Sequence, residues 1–426
     1  MKSWRLAAAL TVLASAVAPQ DFAPGVLTLA HFKIHMRDEI SHLPNYTCLE
    51  TVSRFYRQAG RGERLNPLDV VHLEIVYSDH HEWYGSPGDR NMGVDNPVKF
   101  VGSGLMGSGA FALTLNNVLS LATFSYRGEE PVNGRPGIRY DFQYSRESGG
   151  FEISLVGGKG SVGQKGSLWI DPQSLDLIRM EANADDIPSY LPLAASRTTV
   201  DYAATRIGER TVLLAQQAEL QLSELKNGTG YDHIEFTHCR AFAVESTISF
   251  GDQSAETASV ADKHQAATPS IPANHQVTVQ LTTPITSQDA VGKLIEGKVI
   301  GDVINKGAIL VRSGAAVKGR IRRLERYQGN GRPEFILGLE FTEVEASGGP
   351  TPFYADFLRM DTTAGVLPNL KQRSVVHDTV DGKTTDETIT LAELPGVVSF
   401  FVAGQSFSIS AGFKTVWRTR GSIRGT

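Results

Sequence analysis

Residues 138–144 read Ile-Arg-Tyr-Asp-Phe-Gln-Tyr. Ile138, Tyr140, Phe142 and Tyr144 alternate with Arg139, Asp141 and Gln143. A period of two with one apolar and one polar set predicts a β-strand with one face buried and one face wet, the mark of an antiparallel sheet. The same period recurs on both sides. Val71, Leu73, Ile75 and Tyr77 alternate with His72, Glu74 and Val76. Further on, Ala218, Leu220 and Leu222 alternate with Glu219, Gln221 and Ser223, and Ile234 and Phe236 with His233, Glu235 and Thr237. Asn133-Gly134, Gly149-Gly150, Gly157-Gly158 and Asn227-Gly228 supply turns between such runs.

Upstream the period changes. Leu29, Phe32, Met36, Ile40 and Leu43 recur every three or four residues, which predicts an amphipathic helix from Pro24 to His42, stopped by Pro44. A second helix is predicted over Phe111–Ser120, after a glycine-rich loop. Residues 251–275 are small and polar without periodicity and read as a linker. Beyond them strands resume, with Val277, Val279 and Leu281, then Phe335, Leu337, Leu339 and Phe341. Residues 307–327 read as two strands joined at Ser313-Gly314, and 394–419 as two or three more. The expected architecture is mainly β: an α+β first domain over 19–250, in which a curved antiparallel sheet packs on a helix, then the 251–275 linker and a small β-barrel or sandwich over 276–426.

The first residues read as an export signal. Lys2 and Arg5 precede an apolar run from Leu6 to Val17, and Ala14, Ala16 and Ala18 offer small residues for cleavage. The leader is assigned to residues 1–18, with Ala16 favoured as the last residue removed because Pro19 follows Ala18. The run is shorter than the roughly 20 residues a spanning helix needs, and no later stretch reads as transmembrane. The expected location is therefore periplasmic or extracellular. Net charge is −5 with both signs interspersed, which gives no basic field for nucleic acid. Cys48 and Cys239 are the two cysteines. Outside the cytoplasm an isolated pair is expected to form a disulfide, two buried thiols being the alternative. If Cys48 lies in the first strand of a nearly closed sheet and Cys239 in the last, the bond would join strands that become neighbours.

Chemical constellations are sparse. Asp79-His80-His81-Glu82 offers two ligands to each face of a strand, short of the three a catalytic zinc uses, so no metal is expected. Gly102, Gly104 and Gly107 match the spacing of a dinucleotide loop but lack its parallel context, and no cofactor is expected. There is no G-x-S-x-G elbow. Asp185-Asp186 sits in Asn183-Ala184-Asp185-Asp186-Ile187-Pro188 and reads as a turn. Arg320, Arg322 and Arg326 share strand parity in an unbroken strand and are candidates for binding an anion, an aggregation-resistant edge strand being the alternative. Tyr140, Phe142 and Tyr144 either line a ligand cavity or build the core.

Three stretches, Leu-Pro-Asn-Tyr-Thr-Cys-Leu-Glu-Thr-Val-Ser-Arg-Phe-Tyr-Arg at 43–57, His-Glu-Trp-Tyr-Gly-Ser-Pro-Gly at 81–88 and the 394–419 segment, resemble exported bacterial proteins without an assigned function. Residues 166–181, Gly-Ser-Leu-Trp-Ile-Asp-Pro-Gln-Ser-Leu-Asp-Leu-Ile-Arg-Met-Glu, following a leading helix and several strands, resemble the half-β-barrel periplasmic lipoprotein carriers. That resemblance implies a curved sheet wrapped around helices and an apolar cavity for acyl chains. It carries over no ligand residue, and this chain is longer. Residues 307–324 loosely resemble the small β-barrel of a secretion-channel component. The sequence thus points to an exported, non-enzymatic envelope binding protein for an apolar or lipid-like ligand. An envelope assembly factor holding a protein partner, or a hydrolase with a spatially assembled site, are the alternatives.

Overall fold

The computed structural model describes residues 25–58, 65–78, 81–88, 100–101, 111–155, 158–225, 228–241, 271–329, 332–360, 370–371, 374–380, 383–389 and 396–420. The leader, the Gly102–Gly107 cluster, Asp79, His80 and linker residues 251–270 lie outside them.

Two helices and eleven strands make the first half. They are α1 (Val26–Ser41), β1 (Tyr46–Gln58), β2 (Asn66–Ser78), β3 (His81–Gly85) and α2 (Phe111–Leu121), then β4 (Thr123–Glu129), β5 (Ile138–Tyr144), β6 (Phe151–Leu155) and β7 (Gly158–Ile170). β8 (Leu177–Asp185), β9 (Leu193–Ile207), β10 (Arg210–Glu224) and β11 (Gly228–Ala241) complete the set. The strands pair antiparallel in the order β3-β2-β1-β11-β10-β9-β8-β7-β5-β4, with β6 attached to β7. First and last strands do pair, and the Cys48–Cys239 disulfide joins them. Closure is not the cause: the β2–β3 hairpin folds outward, so β1 lies third from an edge. Cys48 stands opposite His238 and Cys239 at a bulge where His238 has φ 53°.

Alternation aligns one apolar row across the sheet. It runs through Val71, Val52, Ile234 and Ala218 and on through Val200, Met180, Leu168 and Tyr140, all directly paired and all 1% exposed or less. The sheet curls this face around the helices, which supply Phe32 and Met36 from α1 and Leu115, Val118 and Leu119 from α2. Burying such side chains is worth roughly 1.5–3 kcal/mol each. α1 begins two residues later than the spacing predicts. Gly25 precedes it at φ 84°, where a Cβ would sit 2.4 Å from the Tyr126 ring, and the Tyr140 hydroxyl donates to the Gly25 carbonyl at 2.7 Å.

The second half is built on a nine-stranded antiparallel sheet, with three two-stranded sheets besides, among the described residues. Its path runs Ala355–Met360, Lys414–Thr419, Gln276–Leu281, Leu294–Ile300, Ala316–Gly329, Arg332–Ala346, Val397–Ala403, Leu370–Lys371, with Gly349–Pro352 beside Arg332–Ala346. Phe357, on the first strand of that path, meets Phe400, on the seventh, with ring centroids 5.5 Å apart. The sheet therefore rolls up around an aromatic core that includes Trp417, 5.4 Å from Phe341.

The two sheets touch along β2. Beyond the reach of β3, Val71 bridges Val291 in parallel: His72 N donates to Val291 O at 2.8 Å and Val291 N to Val70 O at 2.7 Å. Gly292 has φ 93°, and a Cβ there would stand 2.4 Å from the His72 carbonyl oxygen. Arg54 lies on the concave face with both β2 and β11 beside it, paired in register with Asp69 and Asp232. Its Nε and Nη2 donate to the Asp69 carboxylate at 2.6 and 2.5 Å, and both side chains are 1% exposed. Burial pushes the Asp69 carboxyl up; Arg54 opposes that shift and Glu325 of the second sheet reinforces it.

Candidate functional site

The concave face changes character along its length. At the β5 end it is filled. Tyr140, Phe142 and Tyr144 share that face and are 5% exposed or less. Phe142 packs against Phe124, and the Tyr144 hydroxyl donates to Gln164 Oε1 at 2.7 Å, with burial raising the phenol to about 12. All three belong to the main hydrophobic core cluster.

At the opposite end, beneath the last turns of α1, a cleft remains. Met36, Glu39, Ile40 and Leu43 form one wall. Tyr46, Cys48, Ile75 and Phe236 form the floor, and Tyr202 with Leu213, Leu214 and Ala215 the far side, with Leu115 of α2 above. The enclosed space is about 40 Å³, enough for a water molecule or two and far from enough for an alkyl chain. α1 is the wall laid over the sheet. Among its residues Phe32 and Met36 are buried, its N-cap makes no side-chain hydrogen bond, and neither end carries a charge that complements the helix dipole. Leu29 and Ile40 pack against the core beside them, and His35 Nε2 lies 2.9 Å from Asp176 Oδ1.

Strand geometry places polar groups around this cleft. Cys48, Glu50, Val52 and Arg54 share the concave face because alternate residues point the same way. Glu50 pairs in register with Phe236, and Tyr202 with Ala215 beside a β10 bulge; Phe236, Ala215 and Tyr202 all line the cleft. Glu82 pairs with Tyr77, which pairs with Tyr46. Both Glu50 carboxyl oxygens, Glu82 Oε1 and the Tyr202 hydroxyl are buried with no hydrogen-bond partner among the described residues. Glu82 Oε2 accepts from the Tyr84 hydroxyl at 3.2 Å. Burial, then the fields of Glu82 and Asp232, drives the Glu50 carboxyl well above its ordinary value. Burial raises Glu82 to about 7, the Tyr84 hydrogen bond opposing it. Burial likewise raises the Tyr46 and Tyr202 phenols. Near neutrality the site therefore presents neutral or readily neutralised acids in an apolar setting.

The arginine candidates are spread over different surroundings. Arg320 is 6% exposed and donates to the Pro87 carbonyl at 2.8 Å and the Gly292 carbonyl at 3.2 Å, clamping the second sheet to the turn after β3. Arg322 pairs with Glu340 at 3.1 Å, and Arg326 lies over the Phe335 ring. A bulge between Ile321 and Arg323 breaks the parity that would have aligned them. Asp185 pairs with Lys165 at 3.0 Å, and Asp186 turns the chain at φ 46°. No group of three His, Cys, Asp or Glu among the described residues is placed to hold a metal.

Glu50, Glu82 and Tyr202 escape a reading by hydrophobic pattern, since a polar residue inside a strand scores as solvent-facing. Their signal is parity: Glu50 lies midway between Cys48 and Val52.

No family model matches the chain, and no curated protein does. Among solved structures it is similar to a DUF1329 family protein from Desulfovibrio piger, at 12% identity and TM-score 0.29 over 54% of this chain and 96% of that one. It is similar to a putative outer membrane lipoprotein-sorting protein domain from Vibrio parahaemolyticus, at 10% identity and TM-score 0.30 over 50% and 91%. It is also similar to a LolA superfamily protein from Nitrosomonas europaea, at 11% identity and TM-score 0.24 over 50% and 94%.

Proposed function

We propose that this chain is an exported cell-envelope binding protein, not an enzyme, whose first sheet shelters an apolar, lipid-like ligand between its concave face and α1. The first sheet, with its helices, belongs to a unit over 19–250, joined through 251–275 to a second unit that serves as scaffold. The observation that carries the reading is the Tyr202 hydroxyl, buried and unpaired on the wall of an apolar cleft. A buried hydroxyl without a partner costs about 1–3 kcal/mol, which a ligand group can recover. An alkyl tail gains about 0.8 kcal/mol for each methylene it buries. Displacement of α1 makes the room, at the cost of the contacts of Leu29, Phe32, Met36 and Ile40 and of the His35–Asp176 hydrogen bond. The disulfide beside the cleft supports an oxidising compartment.

Isothermal titration of the mature protein with decanol tests the proposal. Saturable binding at one per chain is expected, and Ala215→Trp, which fills the far wall, should weaken it at least about tenfold, the effect of blocking roughly 1.4 kcal/mol of contact. Absence of saturable binding, or binding indifferent to Ala215→Trp, contradicts it.

A further inference from the structure

We propose that the ligand's polar end is an amine, received by Glu50 and Glu82, with its apolar chain in the cleft under α1. The inference rests on the binding reading above and names the chemistry of the same site.

The unpaired buried atoms set the first condition. Around the cleft they are Glu50 Oε1 and Oε2, Glu82 Oε1 and the Tyr202 hydroxyl, all oxygens, three of them on carboxyls. An ammonium carries three N–H donors and no acceptor, so one group can satisfy several of these oxygens together. An ester brings acceptors alone, and an alcohol brings a single O–H donor, so neither can satisfy several of these oxygens at once.

Charge sets the second condition. The acids facing this region come from every side: Glu39 from α1, Glu50 from β1, Glu82 from β3 and Asp232 from β11. α2 contributes no titratable residue. The cation on the same face, Arg54, is committed to Asp69. Glu39 is the one charged residue bordering the cleft itself. A carboxylate or phosphate headgroup would raise the cost of ionising these acids still further, whereas a cation lowers the energy of each carboxylate it approaches.

Aromatic surface sets the third. Tyr46 and Tyr77 stack with centroids 5.3 Å apart beside Glu82, and Tyr84 donates to it. Tyrosine faces attract cations, most strongly when both are desolvated. Two buried carboxyls, one of them flanked by tyrosines, next to an apolar cleft suit an amine-terminated amphiphile.

The test compares decylamine, decanol and decanoate by isothermal titration at pH 8, on the full mature chain and on Glu50→Gln and Glu82→Gln. The wild type is expected to bind decylamine at least about tenfold more tightly than decanol, and decanoate more weakly than decanol. Each glutamine variant keeps the shape of the side chain and should erase most of the amine preference while still binding decanol, which also shows that the variant is folded. Equal or tighter binding of decanol or decanoate overturns the inference, and so does an amine preference that survives both substitutions. Wild-type binding of none of the three overturns the binding reading as well; decanol binding without amine preference overturns this inference alone.

Discussion

Replacing Glu82 with glutamine should remove a pH dependence that the first sheet imposes on stability. In the folded chain burial holds this carboxyl at about 7, against an ordinary value of 4.5. Below 4.5 both folded and unfolded chains bind the proton, and the folded state carries no penalty from ionisation. Between 4.5 and about 7 the folded chain keeps a proton that the unfolded chain has released, so stability falls as pH rises. Above about 7 the loss is complete. At about 1.4 kcal/mol for each pH unit it amounts to roughly 3 kcal/mol. Glu50, pushed up by burial and the field of Glu82, acts in the same direction. The assay is urea denaturation of the disulfide-bonded protein at pH 5 and pH 8. Wild type should lose about 2.5 kcal/mol more than Glu82→Gln between these values, part of the loss having occurred below pH 5, and Glu82→Gln should be the more stable protein at pH 8. Groups that titrate in both proteins, His72 among them, cancel in the comparison. An identical pH dependence in wild type and variant would refute the burial of Glu82 and the site built on it.

Reduction of Cys48–Cys239 opens a cross-link between positions 191 residues apart. Chain entropy sets its worth at up to about 5 kcal/mol, and denaturation with and without reductant should show a loss of roughly 2–5 kcal/mol. Gly292→Ala places a methyl against the His72 carbonyl at φ 93°, whereas Gly301→Ala, at φ 82°, meets nothing within 4 Å. Thermal denaturation should show the first costing at least about 2 kcal/mol and the second about 1, which isolates the contact between the sheets from backbone strain alone. Arg54→Met leaves Asp69 and Asp232 buried without their cation, so a loss of about 3–5 kcal/mol in urea is expected, part of it regained in Arg54→Met/Asp69→Leu.

Much of the fold is written in local pattern. The buried row from Val71 to Tyr140 follows from period-two alternation, and α1 from the spacing of Phe32 and Met36. The last segment resolves into three strands, Val397–Ala403, Ser408–Ile409 and Lys414–Thr419. Pairing is less legible, because a strand's own pattern does not say which strand lies beside it. Nothing local indicates that β2 and β3 extend the sheet past β1. Bulges are illegible for a related reason. One inserted residue at Arg322 reverses the face of everything after it, so Arg320 and Arg326 part company although their spacing says otherwise. The site is the least legible part. Tyr140, Phe142 and Tyr144 announce burial, and burial at the β5 end means core. The cleft forms where α1 stops covering the sheet, and one of its acids, Glu50, sits in a strand, Tyr46–Gln58, whose inner face carries Glu50 and Arg54 beside Val52.

Those two inner-face residues obey different logic. Arg54 has a bidentate partner, and its charge is answered within the sheet and by the neighbouring second sheet. Glu50 has no such answer: it is 0% exposed, and neither oxygen is paired among the described residues. A leucine at that position would pack against Leu73 and Phe236 without any desolvation penalty, so stability gives no reason for a carboxyl there. The same holds for Glu82, whose burial costs the fold about 3 kcal/mol at pH 8. Acids that cost stability and sit at the end of an apolar cleft have the character of a recognition site, where binding recovers what folding gives up. The glutamine variants separate the two sides of that exchange: the substitution that makes the protein more stable at pH 8 should be the one that makes it bind an amine less well.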